Sequence, residues 1–259
     1  MVASARCVGK LNSAPVTMPV ILVRPPETSL RPVHPNSIAV ALGQTAIFGG
    51  LGAGELAELG AACRSRSYRR GQFLWYQGDS GDYLAVVAEG QVKVTATTVR
   101  GDEMVLATLT PYAEVGQLAV IDQGPRSASV VALAPSTAIL VSRPQLLELM
   151  QHSPELLDAL LVSMGRLVRQ VTDRATDLVY LDLGARLAKL LLQHDRERPG
   201  GRHEVELGLT QTELAQMVGG SRAAVNRVLQ DFAGRGLIQL DARAIVIRDR
   251  DGLARRASA

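Results

Sequence analysis

Residues 209–237 read LTQTELAQMVGGSRAAVNRVLQDFAGRGL and contain two helix signals separated by a turn. Thr210 is followed three residues later by Glu213, the spacing of a capping box, which predicts that a helix begins there. Two glycines at positions 219 and 220 predict its end, and Ser221 is a residue type that caps a second helix. Apolar residues recur along that second helix at helical spacing, at Val225, Val228, Leu229 and Phe232.

The opposite side of the second helix is polar and carries Arg222, Asn226 and Arg227. Two short helices joined by a glycine turn are typical of a helix-turn-helix, whose second helix inserts its first turn into the major groove of DNA. An ordinary surface helix with solvated arginines is the alternative. Residues 237–240 and 244–247 predict a small hairpin, or wing, with Arg243 at its tip, placed to contact a phosphate.

Composition narrows the class of protein. The chain has 259 residues, 47% of them hydrophobic, which suits packed globular cores in one and a half to two domains. Only Cys7 and Cys63 are present, which excludes a disulfide framework and a four-cysteine metal site within one chain and favours a reducing cytoplasm. The net charge is +3, so contact with nucleic acid requires a local basic patch. The apolar run 16–23 contains Pro19 and is far shorter than the roughly 20 residues of a membrane span.

The first half of the chain divides into a tail and a strand-rich region. Residues up to about 42 contain six prolines with little periodicity, which predicts a flexible tail rather than a packed element. Short apolar segments punctuated by glycines then predict the antiparallel strands of a β-sandwich or barrel. These segments are 73–76, 83–88, 92–96, 105–109, 129–132 and 138–141.

Helical patterns follow at 144–150 and at 154–180. The longer one has an apolar seam that alternates steps of four and three residues, which favours a two-stranded coiled coil over the core helix of a monomer. The seam comprises Leu157, Leu161, Met164, Val168, Val171, Ala175 and Leu178. Asp182 interrupts the pattern and is able to cap the next helix, so we predict a hinge there.

One group of residues in the strand-rich region predicts an anion site. Residues 116–119 read GQLA and residues 124–128 read GPRSA. A buried cyclic phosphate needs one positive charge, which Arg126 would supply as a forked donor, and Ser127 adds a hydroxyl donor. Gly116 allows close approach, and backbone N–H groups of a turn or helix start at 116–118 add further donors. The alternative is a surface arginine on a turn.

These elements occur in the order of the cyclic-AMP receptor protein family of the CRP/FNR superfamily, which the chain resembles from about residue 47 to 247. The resemblance implies an α+β fold with a tail at 1–45, a cyclic-nucleotide-binding β-roll at 46–152, a dimerisation helix and hinge at 153–181, and a winged helix-turn-helix domain at 182–259. It also implies a cytoplasmic homodimer in which cyclic AMP bound in each β-roll repositions the DNA-binding domains, with RNA polymerase as a further partner.

The resemblance assigns the cyclic nucleotide to Gly116, Gln117, Leu118, Arg126, Ser127, Thr172 and Asp173. Gln117 departs from the family, in which a glutamate usually accepts a hydrogen bond from the ribose 2′-hydroxyl. Asp173 replaces a serine, and because a carboxylate only accepts hydrogen bonds, it favours the amino group of adenine over the O6 of guanine.

The DNA-binding residues implied in the same way are Thr210, Gln211, Ser221, Arg222, Ala223, Asn226, Arg227 and Arg243. Arg222 and Arg227 match the two arginines that read guanines. Ala223 stands where many relatives have glutamate, so readout of that base pair is expected to be relaxed or changed. A dimer would bind a two-fold repeat with half-sites about one helical turn apart.

The function expected from the sequence is therefore a transcription regulator controlled by cyclic AMP. The alternative is a regulator of the same fold that is independent of ligand or responds to another effector, an alternative supported by Gln117 and Asp173. An enzyme is excluded because the four histidines are scattered and show no catalytic or metal-binding spacing.

Overall fold

The structure is a computed structural model that describes residues 35–241 and 244–258. Two helices open it, α1 (Pro35–Gly43) and α2 (Ala53–Ala62). Ile38, Ala41 and Leu42 recur at helical spacing and are buried in the core of the first domain. The prediction of a flexible, unpacked tail up to residue 45 is therefore wrong from residue 35 onwards, because this apolar face packs despite the prolines before it.

Eight strands follow in two four-stranded antiparallel sheets. They are β1 (Arg64–Tyr68), β2 (Phe73–Trp75), β3 (Tyr83–Glu89), β4 (Val92–Thr97), β5 (Glu103–Leu109), β6 (Glu114–Val115), β7 (Ser129–Ala132) and β8 (Ser136–Ser142). One sheet has the order β1-β8-β3-β6 and the other β2-β7-β4-β5. Side chains from both sheets, among them Trp75, Ala85, Val87 and Val130, form one buried core.

Three helices accompany the sheets: α3 (Gln117–Asp122), α4 (Arg143–His152) and α5 (Pro154–Tyr180). Ser153 begins α5, since its side chain accepts a hydrogen bond from the Leu156 amide. Leu156 and Leu160 are buried against α1, α2 and the first sheet. Apolar residues on the rest of α5 remain exposed in the single chain: Leu157, Leu161, Val168, Val171 and Leu178.

The C-terminal domain begins with α6 (Leu183–Gln193), which Asp182 caps through the Ala185 amide. It continues with β9 (Asp195–Arg198), β10 (Arg202–Val205), α7 (Gln211–Val218), α8 (Arg222–Gly234), β11 (Ile238–Leu240), β12 (Ile245–Ile247) and α9 (Arg250–Ala257). The predicted wing is half of a larger sheet of order β11-β12-β10-β9. Strands β9 and β10 and helix α9 were not predicted from the sequence.

Candidate functional site

Arg126 is the centre of the predicted anion site in the β-roll, whose two segments, 116–119 and 124–128, are called the cassette below. Its side chain is buried, with the residue 2% exposed. Nη1 donates to the carbonyl oxygen of Gly116 (3.1 Å) and Nη2 to that of Tyr83 (2.6 Å), whereas Nε is buried without a hydrogen-bond partner. Among the residues that the structure describes, no carboxylate forms an ion pair with Arg126. Burial lowers the pKa of the guanidinium from its ordinary value, but arginine keeps its charge in proteins.

Two aromatic rings line the guanidinium. Cζ of Arg126 lies 4.0 Å from the ring centroid of Trp75 and 4.7 Å from that of Tyr83. The two rings meet edge to face with centroids 5.7 Å apart. Neither residue was predicted from the sequence. The signal that could have found them is composition, because aromatic residues make up only 3% of the chain and yet Trp75 ends β2 and Tyr83 begins β3.

Gly116 connects β6 to α3 and adopts a left-handed conformation with φ of 91°. A Cβ at this position would strike Nη1 of Arg126 and lie 3.2 Å from Cη2 of Trp75. Glycine is therefore required both by the backbone and by the arginine. Since α3 has only six residues, the positive charge of the cassette comes from Arg126 rather than from a helix dipole.

The remaining predicted ligand residues are less buried. Gln117 is half-buried, and its Nε2 donates to the carbonyl of Glu114 (3.3 Å), while Leu118 and Ser127 are exposed. Thr172 and Asp173 are exposed on α5, and the Thr172 hydroxyl donates to the Val168 carbonyl of the same helix. Within the described part of the chain, no hydrogen bond joins these two α5 residues to Arg126.

The helix-turn-helix has the predicted caps. Thr210 accepts from the Glu213 amide (3.2 Å) and Glu213 accepts from the Thr210 amide (2.8 Å), while Ser221 accepts from the Ala224 amide (3.2 Å). Gly219 ends α7 with φ of 70°, which glycine adopts without strain. The second helix is thus fixed at its N-terminus.

The predicted DNA-contacting residues fall into two groups. Ser221, Arg222, Ala223 and Arg227 are exposed on the first turns of α8. Gln211 is only 8% exposed, and its Oε1 accepts from Nδ2 of the half-buried Asn226 (3.1 Å). Asn226 was expected on the exposed side with the arginines, but this bond turns it towards α7 and joins the two helices. Arg243 lies outside the described residues.

The helix-turn-helix also contacts the β-roll of the same chain. Nζ of Lys93 on β4 lies 2.8 Å from the carboxylate of Glu213 on α7, and both side chains are largely buried. Nε2 of Gln91 donates to the Leu207 carbonyl (3.0 Å). Burial alone would raise the pKa of Glu213, but hydrogen bonds from Lys93 and Thr210 outweigh burial and lower it.

Comparison with protein families gives two matches. Residues 65–153 match the model of the cyclic nucleotide-binding domain, and residues 185–256 match that of the Crp-like helix-turn-helix domain. Within the described residues, no helix has the length and hydropathy to cross a bilayer, and no cluster of three or more candidate metal ligands occurs.

Similar proteins are transcription regulators rather than enzymes. The CRP-like cAMP-activated global transcriptional regulator of Mycobacterium tuberculosis is 34% identical over 83% of this chain and 98% of its own length. The cAMP-activated global transcriptional regulator CRP of Escherichia coli is 28% identical over 71% of this chain and 90% of its own. A solved CRP/FNR-family regulator of Thermus thermophilus is 25% identical with a TM-score of 0.62, covering 76% of this chain and 99% of its own. The c-di-GMP responsive regulator CLP of Xanthomonas campestris, at 24% identity and a TM-score of 0.64, shares the fold over 76% of this chain and 99% of its own.

Proposed function

The chain belongs to the cyclic-AMP receptor protein family of transcription regulators, and we propose that it acts as a cytoplasmic homodimer whose DNA binding is controlled by cyclic AMP. RNA polymerase is the further partner that this role implies. Arg126 carries the proposal about the ligand. It is a buried cation with an unpartnered Nε and no ion-paired carboxylate among the described residues. Because a buried charge is costly unless compensated, this arrangement suits a singly charged cyclic phosphate.

The other cassette residues fit the same ligand. Gly116 leaves the space that the guanidinium occupies, and Ser127, the next residue after Arg126 in the chain, is exposed and carries a hydroxyl donor. Gln117 offers a neutral acceptor to the ribose hydroxyl in place of the glutamate usual in the family. Since hydrogen bonds to charged groups are worth about 1.5–3 kcal/mol and neutral ones about 1 kcal/mol, we expect binding weaker by about three- to thirtyfold rather than lost.

The exposed seam of α5 supports the homodimer. Leu161, Val168 and Val171 keep a spacing of seven and three residues along one stripe, yet no other element of the described chain covers them. A core helix of a monomer would bury such a stripe, whereas a second copy of α5 would cover it as a coiled coil. A dimer would also bring Asp173 of one subunit towards the ligand of its partner.

Double-stranded DNA is the proposed target of α8. Arg222 and Arg227 are exposed on one helix whose N-terminus is fixed by Ser221, the placement needed for bidentate contacts to guanine. Ala223 beside them has no hydrogen-bonding group and would lie against a thymine methyl. We expect a two-fold repeat as operator, because a symmetric dimer imposes its symmetry on the site.

A second candidate is a regulator of the same fold that ignores cyclic AMP or answers to another effector. Gln117 and Asp173 favour it, since both depart from the residues expected for cyclic AMP. That the Xanthomonas neighbour is described as responsive to c-di-GMP indicates that one fold serves more than one effector.

Titration of the purified protein with cyclic AMP and cyclic GMP separates the two candidates. Calorimetry should give saturable binding of cyclic AMP, and affinity for an operator fragment at fixed salt should change with it. Absence of binding with intact DNA affinity would favour the second candidate. Arg126→Ala should abolish nucleotide binding while the chain stays folded, and undiminished binding would contradict the assignment of the anion site.

The DNA surface has its own test. Arg222→Ala should lower affinity for the operator by about 1–3 kcal/mol while leaving affinity for unrelated DNA nearly unchanged. Equal loss on both DNAs would make Arg222 a phosphate contact instead.

A further inference from the structure

The support that Arg126 receives is unusual for a buried cation. Charged side chains in protein interiors are normally paired with an opposite charge. Here the guanidinium is held by the carbonyls of Gly116 and Tyr83 and by the faces of two aromatic rings, with no ion-paired carboxylate in the described chain. All of these contacting groups are electrically neutral, and the carboxylates of Asp79 and Asp82 act on the guanidinium without forming an ion pair with it, so the positive charge is held in place without being cancelled by a direct partner.

Trp75 is the more constrained of the two rings. It is buried at the end of β2, and its Nε1 donates to the carbonyl of Ala128, two residues beyond Arg126 (3.0 Å). The strand β7 that follows is paired with β2, so the ring and the arginine are tied to the same sheet edge. The indole face therefore has a fixed position, and a cation above such a face is attracted by the ring quadrupole.

We propose that Trp75, assisted by Tyr83, is a positioning residue that holds the Arg126 guanidinium in the plane required for binding the phosphate of the ligand. This inference rests on the proposed function. An acidic side chain in place of the rings would occupy the donors of Arg126 and neutralise it. The rings instead leave Nε free as a donor and leave the charge available, so they favour anionic ligands over neutral ones of the same shape.

The packing around Gly116 agrees with this role. A Cβ there would meet both Nη1 of Arg126 and the indole, so the glycine, the guanidinium and the ring form one closely packed unit. A shift of the ring would release the guanidinium from its plane. The aliphatic part of the Arg126 side chain is flexible, and rotation about its bonds would reduce the fraction of molecules ready to bind.

Binding measurements on two variants test the role. Trp75→Leu keeps an apolar side chain, although a smaller one, and removes the aromatic face, and we expect cyclic AMP to bind at least ~10-fold more weakly. Trp75→Phe keeps a face and should stay within ~3-fold of the unmodified protein. Adenosine, which lacks the phosphate, should bind both variants as it binds the unmodified chain. Equal losses for adenosine and cyclic AMP, or Trp75→Phe as weak as Trp75→Leu, would overturn the proposal.

Fluorescence tests the contact without any ligand. Trp75 is the chain's single tryptophan, so its emission reports this site alone. Removing the cation from the ring face in Arg126→Gln should change the emission maximum and its quenching by acrylamide, whereas Arg64→Gln on the exposed face of β1 should not. Unchanged emission in Arg126→Gln would overturn the proposal. If the unmodified protein bound no cyclic nucleotide, the proposed function would fail, and the emission would still decide whether Trp75 holds Arg126.

Discussion

Gly116 illustrates how a single residue serves both the backbone and the proposed ligand site. Its φ of 91° is unfavourable for any side chain, at a cost of about 1–2 kcal/mol, and a Cβ would also displace Arg126. We predict that Gly116→Ala lowers the melting temperature and abolishes stabilisation by cyclic AMP. Gly71→Ala is the control, since Gly71 has φ of 78° but open space around it. In thermal unfolding, Gly71→Ala should lower the melting temperature through the backbone cost alone. Cyclic AMP should still stabilise this variant. Equal behaviour of the two variants would contradict the steric role of Gly116.

At the same scale, the sequence predicts only part of the proposed anion site. Gly116 and the Arg126-Ser127 pair lie in two short segments whose residue types point to a phosphate. Trp75 and Tyr83 are distant in the chain and reach Arg126 only because β2 pairs with β7 and β3 pairs with β6. A spacing rule does not detect such a contact, because it depends on which strands become neighbours.

At the scale of the element, α8 depends on its N-terminal cap. Ser221 accepts from the Ala224 amide, and its removal in Ser221→Ala should cost about 1 kcal/mol of unfolding free energy and weaken DNA binding. Ser221→Asp should restore the cap but repel DNA phosphates. This variant should therefore recover the stability of the unmodified protein while its DNA affinity stays low. Urea unfolding and fluorescence anisotropy with an operator fragment measure the two quantities. Recovery of both by aspartate would contradict a DNA contact at this position.

The sequence predicts well those helices and strands whose apolar residues recur at regular helical or strand spacing. Six of the eight strands of the β-roll, the long α5 and the two helices of the helix-turn-helix lie within a few residues of their predicted bounds, whereas β1 and β6 were not predicted. The missed α2 is built from small residues, and α9 has a single large apolar residue, Leu253. The missed β9 and β10 are highly charged and are held by pairing with β12 and by ion pairs such as Arg198–Glu204, which a hydrophobic period does not register.

At the scale of the whole molecule, the two domains are joined by more than the hinge. Leu133, which follows β7, packs into the core of the C-terminal domain, and Gly208 approaches the side chain of Gln91 closely. The ion pair Lys93–Glu213 lies at the same boundary. The start of α7 is thereby attached to the second sheet of the β-roll, so a change in that sheet reaches the helix-turn-helix directly as well as through α5.

The charge on Glu213 should make this attachment dependent on pH. Because its pKa in the folded chain lies below the ordinary 4.5, its contribution to stability is present above pH 4.5 and is lost as the pH falls through the lowered value. Glu213→Gln keeps a capping-box side chain but removes the charge, and Lys93 retains only Glu103 at 3.2 Å. We expect the free energy of unfolding of Glu213→Gln to fall by about 1–2 kcal/mol at pH 7. Below pH 4.5 its stability should depend less on pH than that of the unmodified protein.

Hydrogen exchange measures the effect where it should occur, at the amides of residues 207–215, which should lose protection in Glu213→Gln. Asp231→Asn is the matched control, because it breaks an exposed pair with Arg235 on α8 that is worth about 0.3–0.5 kcal/mol. If the amides of both variants exchanged at the same rates, and both variants kept the pH dependence of stability of the unmodified protein below pH 4.5, the ion pair would contribute nothing to the attachment of α7 to the β-roll. Loss of protection confined to Glu213→Gln would instead indicate that the β-roll holds the helix-turn-helix through this charge, so that a ligand able to reposition the DNA-binding domain would have to break the Lys93–Glu213 contact.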